Sequence, residues 1–462
     1  MEASLDKVFK AYDVRGVYGE DFDEDLAWKI GHAAGQFLRS QLTGYERGQA
    51  SSNRIVVGHD MRPSSPSLVK AMIEGITSTG TGCYDIGLVD TPMVYFAINH
   101  LQACGGIQVT ASHNPIQYNG FKVSGQRAKP VGETTGLREI KHIVETLRRM
   151  PQSASVGSTQ EIDLWEPYRE HVMKFLKMPR RLKVVVDASN GMGGKMVPAI
   201  FTNINAEIIP LNFPIGQGFS HPPDPLIEAN LAELRETVRR EKADLGICLD
   251  GDADRCMFVD ENADIVRCDL MTAMLCRHFL KDSPGAMVVY DLRSSHVVQE
   301  EIRAAGGVPR RERVGHAFMK KALADGHGVF GGELSGHFYF RDNFNCDSGA
   351  IAFATALSVL SQQDRPFSHL IAPLKRYSPS GEINFNVADK AAKMAELEQT
   401  YKAAKSIDHL DGVTIEMEDW WFNVRPSNTE PLLRLNLEAS TPAMKDQKVH
   451  ELEGMLGKPV SH

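Results

Sequence analysis

One pattern, repeated three times, limits the folds open to this chain. An apolar, β-branched run reaches an aspartate, turns through small polar residues and continues as a helix. The three copies are IVVGHDMRPSSPSLVKAMIEGI from Ile55, LKVVVDASNGMGGKMVPAIF from Leu182 and GAMVVYDLRSSHVVQEEIRAAG from Gly285. Asp60, Asp187 and Asp291 hold equivalent places, and the Ser and Gly residues after each suit a tight turn and a helix start. Each helix leads to a further extended stretch and then to a third apolar strand: GGIQVTASHNP, ADLGICLDGDADR and GHGVFGGELSGH. A polar cluster closes that third strand every time. Such a rhythm predicts α/β domains, in which ligands bind beyond the carboxyl ends of the strands. Ser112, the Asp250 cluster and Glu333 are therefore expected on comparable edges of three related domains, with a cleft to collect them.

From about Tyr377 the texture changes. A strand GEINFNVA leads to a helix opening at Asp389 (DKAAKMAELEQTYKAAK), and the extended stretches DWWFNV and LLRLNLEA flank RPSNTEP. This reads as a small α+β domain carrying one polar loop. A length of 462 residues also asks for three or four domains rather than a single core. The start, MEASLDKVFKAYDVRG, lacks a signal-peptide core, and no run of about 18 apolar residues offers a membrane span. Seven scattered cysteines without a CxxC pair suggest neither zinc nor disulfides, so a reducing, cytoplasmic setting is expected. A net charge of -8 argues against broad nucleic-acid binding but not against a small anionic substrate met by local positive charge.

The most informative cluster is Asp250-Gly-Asp252-Ala-Asp254-Arg255, directly after the apolar run LGICL. In an extended segment, residues two apart point the same way, which would aim three carboxylates at one volume. At about 5 Å and an effective dielectric near 20, each like-charged pair costs on the order of 3 kcal/mol, so the group asks for a cation. All-oxygen ligands favour magnesium, calcium or manganese over zinc. An EF-hand is a poor fit: Arg255 stands where that loop needs glycine, and the flanks read as strands.

Thr110-Ala-Ser112-His113-Asn114-Pro115 closes the first third-strand and is followed by Lys122. A serine needs a base, a metal or a positive field to become a nucleophile, and no GxSxG elbow is present. Taken alone the loop reads as a turn; beside a metal loop, Ser112 can carry a phosphoryl group whose charge the metal offsets. Gly331 to His337 combines the carboxylate of Glu333, the hydroxyl of Ser335 and the imidazole of His337, which suits sugar hydroxyls. Arg425-Pro-Ser427-Asn428-Thr429-Glu430 combines a guanidinium with short donors and backbone amides, the equipment of a phosphate site.

Together these loops resemble those of the α-D-phosphohexomutase family, most closely its bacterial phosphomannomutase/phosphoglucomutase branch, over nearly the whole chain. TASHNP resembles the phosphoserine loop, DGDADR the metal loop, GELSGH the sugar loop and RPSNTEP the phosphate loop. AYDVRG around Tyr12 and Arg15, GHDMRPSS, DASNGMGG, HPPDP from His221 and the Gly315-His316 pair are supporting matches. The resemblance implies three related α/β domains with mixed sheets and a smaller C-terminal α+β domain around a central cleft. The expected division is 1–155, 156–259, 260–370 and 371–462. It further implies Mg²⁺ held by phosphorylated Ser112 with Asp250, Asp252 and Asp254. A hexose 1,6-bisphosphate would be both intermediate and activator.

By the same resemblance Arg15, His113 and Lys122 act beside Ser112 in charge stabilisation and proton handling. Tyr12, Arg255, Arg293, His316, Glu333, Ser335, His337, Arg425, Ser427, Asn428 and Thr429 then bind the hexose phosphate. The protein is expected as a monomer or homodimer. Two positions depart from the branch's pattern: Arg293 stands where Lys is frequent, and RVGH replaces KTGH before His316. Arg and Lys are not interchangeable in recognition, so these bear on the choice of sugar. Leu334 fits the Met-containing glucose/mannose pattern better than the Gln of phosphoglucosamine mutases, the nearest alternative. A non-catalytic phosphosugar- or calcium-binding protein is the alternative from another class.

Overall fold

A computed structural model describes residues 5–49, 51–147, 156–427 and 432–460. Each repeated segment forms the same device. In the first, strand Arg54–His59 pairs in parallel with Gly82–Leu88 on one side and Gly105–Val109 on the other. Helices Ser65–Thr77 and Thr91–His100 make the crossovers. In the second, Leu182–Asp187 pairs with Ala206–Leu211 and Leu245–Leu249, and in the third Met287–Asp291 pairs with Val308–Glu312 and Phe330–Gly332. The central strands are buried on both faces, which is why their sequences are unbroken apolar runs rather than alternations.

The sheets become mixed where the chain turns back. Tyr118–Gly125 runs antiparallel to Gly105–Val109, and Cys256–Asp260 antiparallel to Leu245–Leu249. The polar clusters follow the third strands: Ser112 and Asp250 lie at the two reversals, and Glu333 comes directly after the strand Phe330–Gly332. The C-terminal domain is an antiparallel sheet. Its strands run in the order 406–408, 413–416, 420–426, 432–439, 378–386 and 459–460, backed by helices Lys390–Thr400 and Pro442–Leu456.

The expected C-terminal strands therefore form, with three differences. The helix from Asp389 stops at Thr400 instead of running to Lys405, because Tyr401 turns its ring into a cluster with Trp420 and Phe422. Strands Ser406–Asp408 and Val413–Glu416 and helix Pro442–Leu456 were not anticipated. Only Leu452 and Leu456 of that helix are buried, so its periodicity is faint.

The chain forms two compact units. One holds residues 1–266 and 335–368; the other holds 267–334 and 369–462. The third domain is divided between them: its parallel trio lies in the second unit, and the antiparallel pair Phe338–Phe340 and Cys346–Asp347 in the first. Among the described residues, no helix is long and apolar enough to cross a membrane. All seven cysteines are buried and unbridged.

Candidate active site

In the first unit the serine loop and the aspartate loop meet. Ser112 adopts a left-handed backbone (φ 51°), which turns its hydroxyl away from the strand it follows. Its Oγ lies 3.3 Å from Asp250 Oδ2 and 3.3 Å from His113 Nδ1. The backbones also close in on one another: a Cβ at Gly251 would stand 2.4 Å from the Ser112 carbonyl oxygen, so only glycine permits this crossing.

The serine loop is braced from inside. Asp60 accepts from the Arg62 backbone N–H (3.1 Å), the Ser65 hydroxyl (2.8 Å) and the Thr110 hydroxyl (2.7 Å). Thr110 Oγ1 in turn accepts from Ser112 N at 2.9 Å. Arg62 is fully buried, and its five N–H donors are all used. Nε binds Asp60; Nη1 donates to the carbonyls of Pro115 and Tyr118, and Nη2 to those of Ser112 and Asn114, at 2.5–2.9 Å.

The three aspartates do converge, but not as an extended segment. Residues 251–253 form a turn, with Ala253 left-handed (φ 56°), and the turn gathers one oxygen from each carboxylate within 4.8 Å of the others. A straight strand would have spread them along its length. Lys122 Nζ donates to Asp252 Oδ2 (2.7 Å) and Asp254 Oδ2 (2.6 Å), and the Thr91 hydroxyl also donates to Asp252 Oδ2 (2.5 Å). Asp252 Oδ1 and Asp254 Oδ1 are buried with no hydrogen-bond partner. Unsatisfied buried carboxylate oxygens are costly, and a hard cation on oxygen donors is the chemistry that satisfies them. The residues present therefore fit a divalent metal.

The electrostatics point the same way. Burial, reinforced by Asp254 and Asp252, pushes the Asp250 carboxyl well above its ordinary range. Burial also acts against Asp254, yet Lys122 and then His337 hold it below the ordinary range. Lys122 stays protonated because Asp252 and Asp254 outweigh its burial. Burial, with Arg255 and Arg15 next, pushes His113 well below the usual imidazole value and keeps it neutral at pH 7.

Around this core, Arg15 Nη1 donates to Asn114 Oδ1 at 2.6 Å. Arg255 gives its backbone N–H to Asp250 Oδ1 (3.2 Å) and its Nε to His337 Nε2 (3.2 Å), while His337 Nδ1 meets Asp347 Oδ2 at 2.7 Å. Tyr12 is half-buried just before strand Val14–Val17, and Ser335 is half-buried.

The second unit carries the remaining positions. Arg293 Nε and Nη2 bind Asp291 at 3.2 and 2.9 Å, and Leu334 N donates to the same carboxylate at 2.7 Å. Glu333 is buried at the end of strand Phe330–Gly332, and His316 opens helix His316–Asp325. Arg425 is buried on strand Trp420–Pro426. It shares Glu382 with Arg434, through Nη2–Oε2 and Nη1–Oε1 contacts of 2.8 Å each. Ser427 N donates to the Leu432 carbonyl at 2.9 Å. Asn428 and Thr429 lie outside the described residues.

Sequence reasoning missed Arg62, Thr91, Asp347, Glu382 and Arg434. Only Arg62 left a signal, the Asp-Xaa-Arg-Xaa-Ser spacing that Asp291 to Ser295 repeats. Thr91, Glu382 and Arg434 make their contacts across long stretches of chain, Asp347 meets His337 from the next pair of strands, and nothing local marks them.

Segments 6–150, 166–263 and 268–377 match the phosphoglucomutase/phosphomannomutase alpha/beta/alpha domains I, II and III, and 382–454 matches that family's C-terminal domain. A phosphomannomutase of Escherichia coli is 36% identical, with 97% of this chain and 98% of the relative covered. A phosphomannomutase of Vibrio cholerae is 37% identical over 97% and 98%. Among solved structures, a phosphoglucomutase/phosphomannomutase family protein of Burkholderia thailandensis superposes with a TM-score of 0.88 at 30% identity, covering 98% of each chain.

Proposed function

The chain belongs to the phosphoglucomutase/phosphomannomutase family, the α-D-phosphohexomutases, and on that premise we propose that it interconverts the 1- and 6-phosphates of a hexose by passing a phosphoryl group through Ser112. The observation that carries this reading is the meeting of the Ser112 hydroxyl with Asp250, beside the unsatisfied buried oxygens of Asp252 and Asp254. A plain binding site needs no hydroxyl there.

Phosphoserine 112 gives its phosphoryl group to the free hydroxyl of the bound hexose phosphate. The bond from phosphorus to the serine oxygen breaks as the bond to the sugar oxygen forms, leaving a hexose 1,6-bisphosphate. The proton lost by the sugar hydroxyl balances the one the serine oxygen regains. His113, neutral and 3.3 Å from Ser112 Oγ, accepts the serine proton when the hydroxyl attacks a phosphoryl group and returns that same proton when the serine oxygen leaves. The bisphosphate turns over and returns its other phosphate to Ser112; added bisphosphate also loads the dephosphorylated enzyme.

Asp250, Asp252 and Asp254, with the phosphate on Ser112, would hold Mg²⁺. When bound, the ion offsets charge on the phosphoryl oxygens. Arg15, Lys122 and Arg255 add fixed positive charge, and the Arg62 brace keeps Ser112 oriented without reorganisation. Glu333, Ser335 and His337 take the sugar hydroxyls. Arg425, Ser427, Asn428 and Thr429 take the phosphate that is not reacting, with Arg293 beside Arg425 at Glu382, and Tyr12 and His316 are further substrate-binding residues. That relatives carry the name phosphomannomutase supports mannose phosphates as the substrates of this chain, with glucose phosphates the other candidates. Buried free thiols agree with a cytoplasmic enzyme.

Intact mass after incubation with a hexose 1,6-bisphosphate tests the carrier. Wild type gains one phosphoryl group and Ser112→Ala gains none, with mutase turnover reduced at least about a thousandfold, near 4 kcal/mol of barrier. Full turnover by Ser112→Ala would sink the mechanism. Assays on mannose, glucose and glucosamine 1-phosphates side by side decide the sugar.

A further inference from the structure

The C-terminal sheet places Arg425 directly opposite Arg434 on neighbouring antiparallel strands. Like charges in that position repel, and a sheet that keeps them needs a counter-charge. Glu382 supplies it from the next strand, Ser378–Asn386, where the register shifts between Pro379 and Glu382 and Gly381 is left-handed (φ 72°). Bulges of this kind re-aim a side chain. Here the bulge aims one carboxylate between two guanidiniums, with each oxygen taking a different one at 2.8 Å. A third guanidinium approaches: Arg293 Nη1 lies 3.6 Å from Glu382 Oε2, while its other edge is committed to Asp291.

Three guanidiniums thus gather around Glu382 and Asp291, with Glu333 also acting on Arg293 and Asp411 on Arg425. Although burial acts against the charge on Glu382, Arg293, Arg425 and Arg434 outweigh it and keep it ionised. Arg425 Nε is buried and has no partner, so this guanidinium retains a donor that Glu382 does not use.

We propose that Glu382 holds the place of the substrate's non-reacting phosphate: its carboxylate ties Arg425 to Arg434 in the ligand-free protein, and a dianionic phosphate takes Arg425 and Arg293 from it. This deepens the phosphate-site reading and rests on it. A monoanion can only match what Glu382 already provides, whereas a dianion brings a second charge and further acceptor oxygens to donors already gathered. The internal carboxylate therefore keeps the sheet intact between turnovers, selects for dianions and weakens product binding.

Full-length wild type and Glu382→Gln are titrated with inorganic phosphate in EDTA, by calorimetry and thermal melting, with formate as the monoanion. Without anion Glu382→Gln melts below wild type. Phosphate raises its Tm by more than it raises that of wild type, its Kd for phosphate falls on the order of tenfold, and formate has little effect on either protein. Glu382→Asp, too short to bridge both arginines, shows the same direction if Glu382→Gln fails to fold. Arg425→Met separates the two readings. If it leaves phosphate binding unchanged, the phosphate site is wrong and this inference falls with it. If it abolishes binding while both Glu382 variants bind phosphate no tighter than wild type, Glu382 is only a structural brace and the inference alone is overturned.

Discussion

The turns after Asp60 and Asp291 are built from the same residues and end in opposite chemistry. Both read Asp-Xaa-Arg-Xaa-Ser, and in both the aspartate accepts the backbone N–H of its own arginine, at 3.1 and 2.8 Å. Arg62 is then spent entirely on protein oxygens, four of them carbonyls of the serine loop. Arg293 spends one edge on Asp291 and leaves Nη1 facing Glu382. A guanidinium with every donor satisfied internally is a strut; one with an uncommitted edge in an arginine cluster can meet a ligand. The third copy, Asp187, has Ser189 where the others have arginine. Its second oxygen instead meets His221 Nε2 at 3.0 Å.

The comparison can be broken most sharply at Arg62. Arg62→Met leaves four serine-loop carbonyls without this donor and the buried Asp60 without its counter-charge, and it is expected to cost about 3–5 kcal/mol. Urea unfolding measures this; a loss below about 1 kcal/mol would mean that the strut carries little. Arg293→Lys comes next. Stability should change by less than about 1 kcal/mol, while KM for hexose phosphates rises on the order of tenfold, near 1.4 kcal/mol, because an ammonium cannot keep Asp291 and reach the cluster together. Steady-state kinetics with an unchanged KM would place Arg293 with Arg62 as a strut.

The smallest effect belongs to the Asp187 turn. The hydrogen bond that His221 gives Asp187, ahead of opposing burial, raises the His221 pKa above the ordinary 6.5, and Nδ1 meets the Pro222 carbonyl at 2.9 Å, so both ring nitrogens face acceptors. A raised folded pKa contributes stability fully below the unfolded value and loses it as pH climbs through the folded value. Asp187 and Glu233 are the charged groups acting on this imidazole. Wild type should thus exceed His221→Gln in Tm at mildly acid pH, with the gap, under about 1 kcal/mol, closing as pH rises through that window. A gap independent of pH would show that His221 acts by packing alone.

Much of the architecture was legible because its signals are short-range. The unbroken runs IVVGH, LKVVVD and MVVYD are what doubly buried parallel strands require, and all three formed. Helix Pro442–Leu456 was not legible, since it buries too little to show a period. At the site, residue chemistry put Ser112 and the aspartates on one list, but their convergence came from a left-handed turn at Ala253 and not from strand alternation. Thr91 and Asp347 left no trace: each acquires its role from a partner that the chain alone does not place beside it.

By itself the sequence determined the inventory and the rhythm. It specified three strand–aspartate–helix units, a carboxylate trio, a serine after a buried strand and arginines near the C-terminus, all properties of neighbouring residues. The tertiary structure decided the assignment of hydrogen bonds. Which arginine is exhausted, which carboxylate oxygens stay unsatisfied and which glutamate sits among guanidiniums depend on contacts 40 to 140 residues apart along the chain. Those contacts exist only once strands pair in register and loops pack, because a donor's availability is set by what surrounds it rather than by its identity.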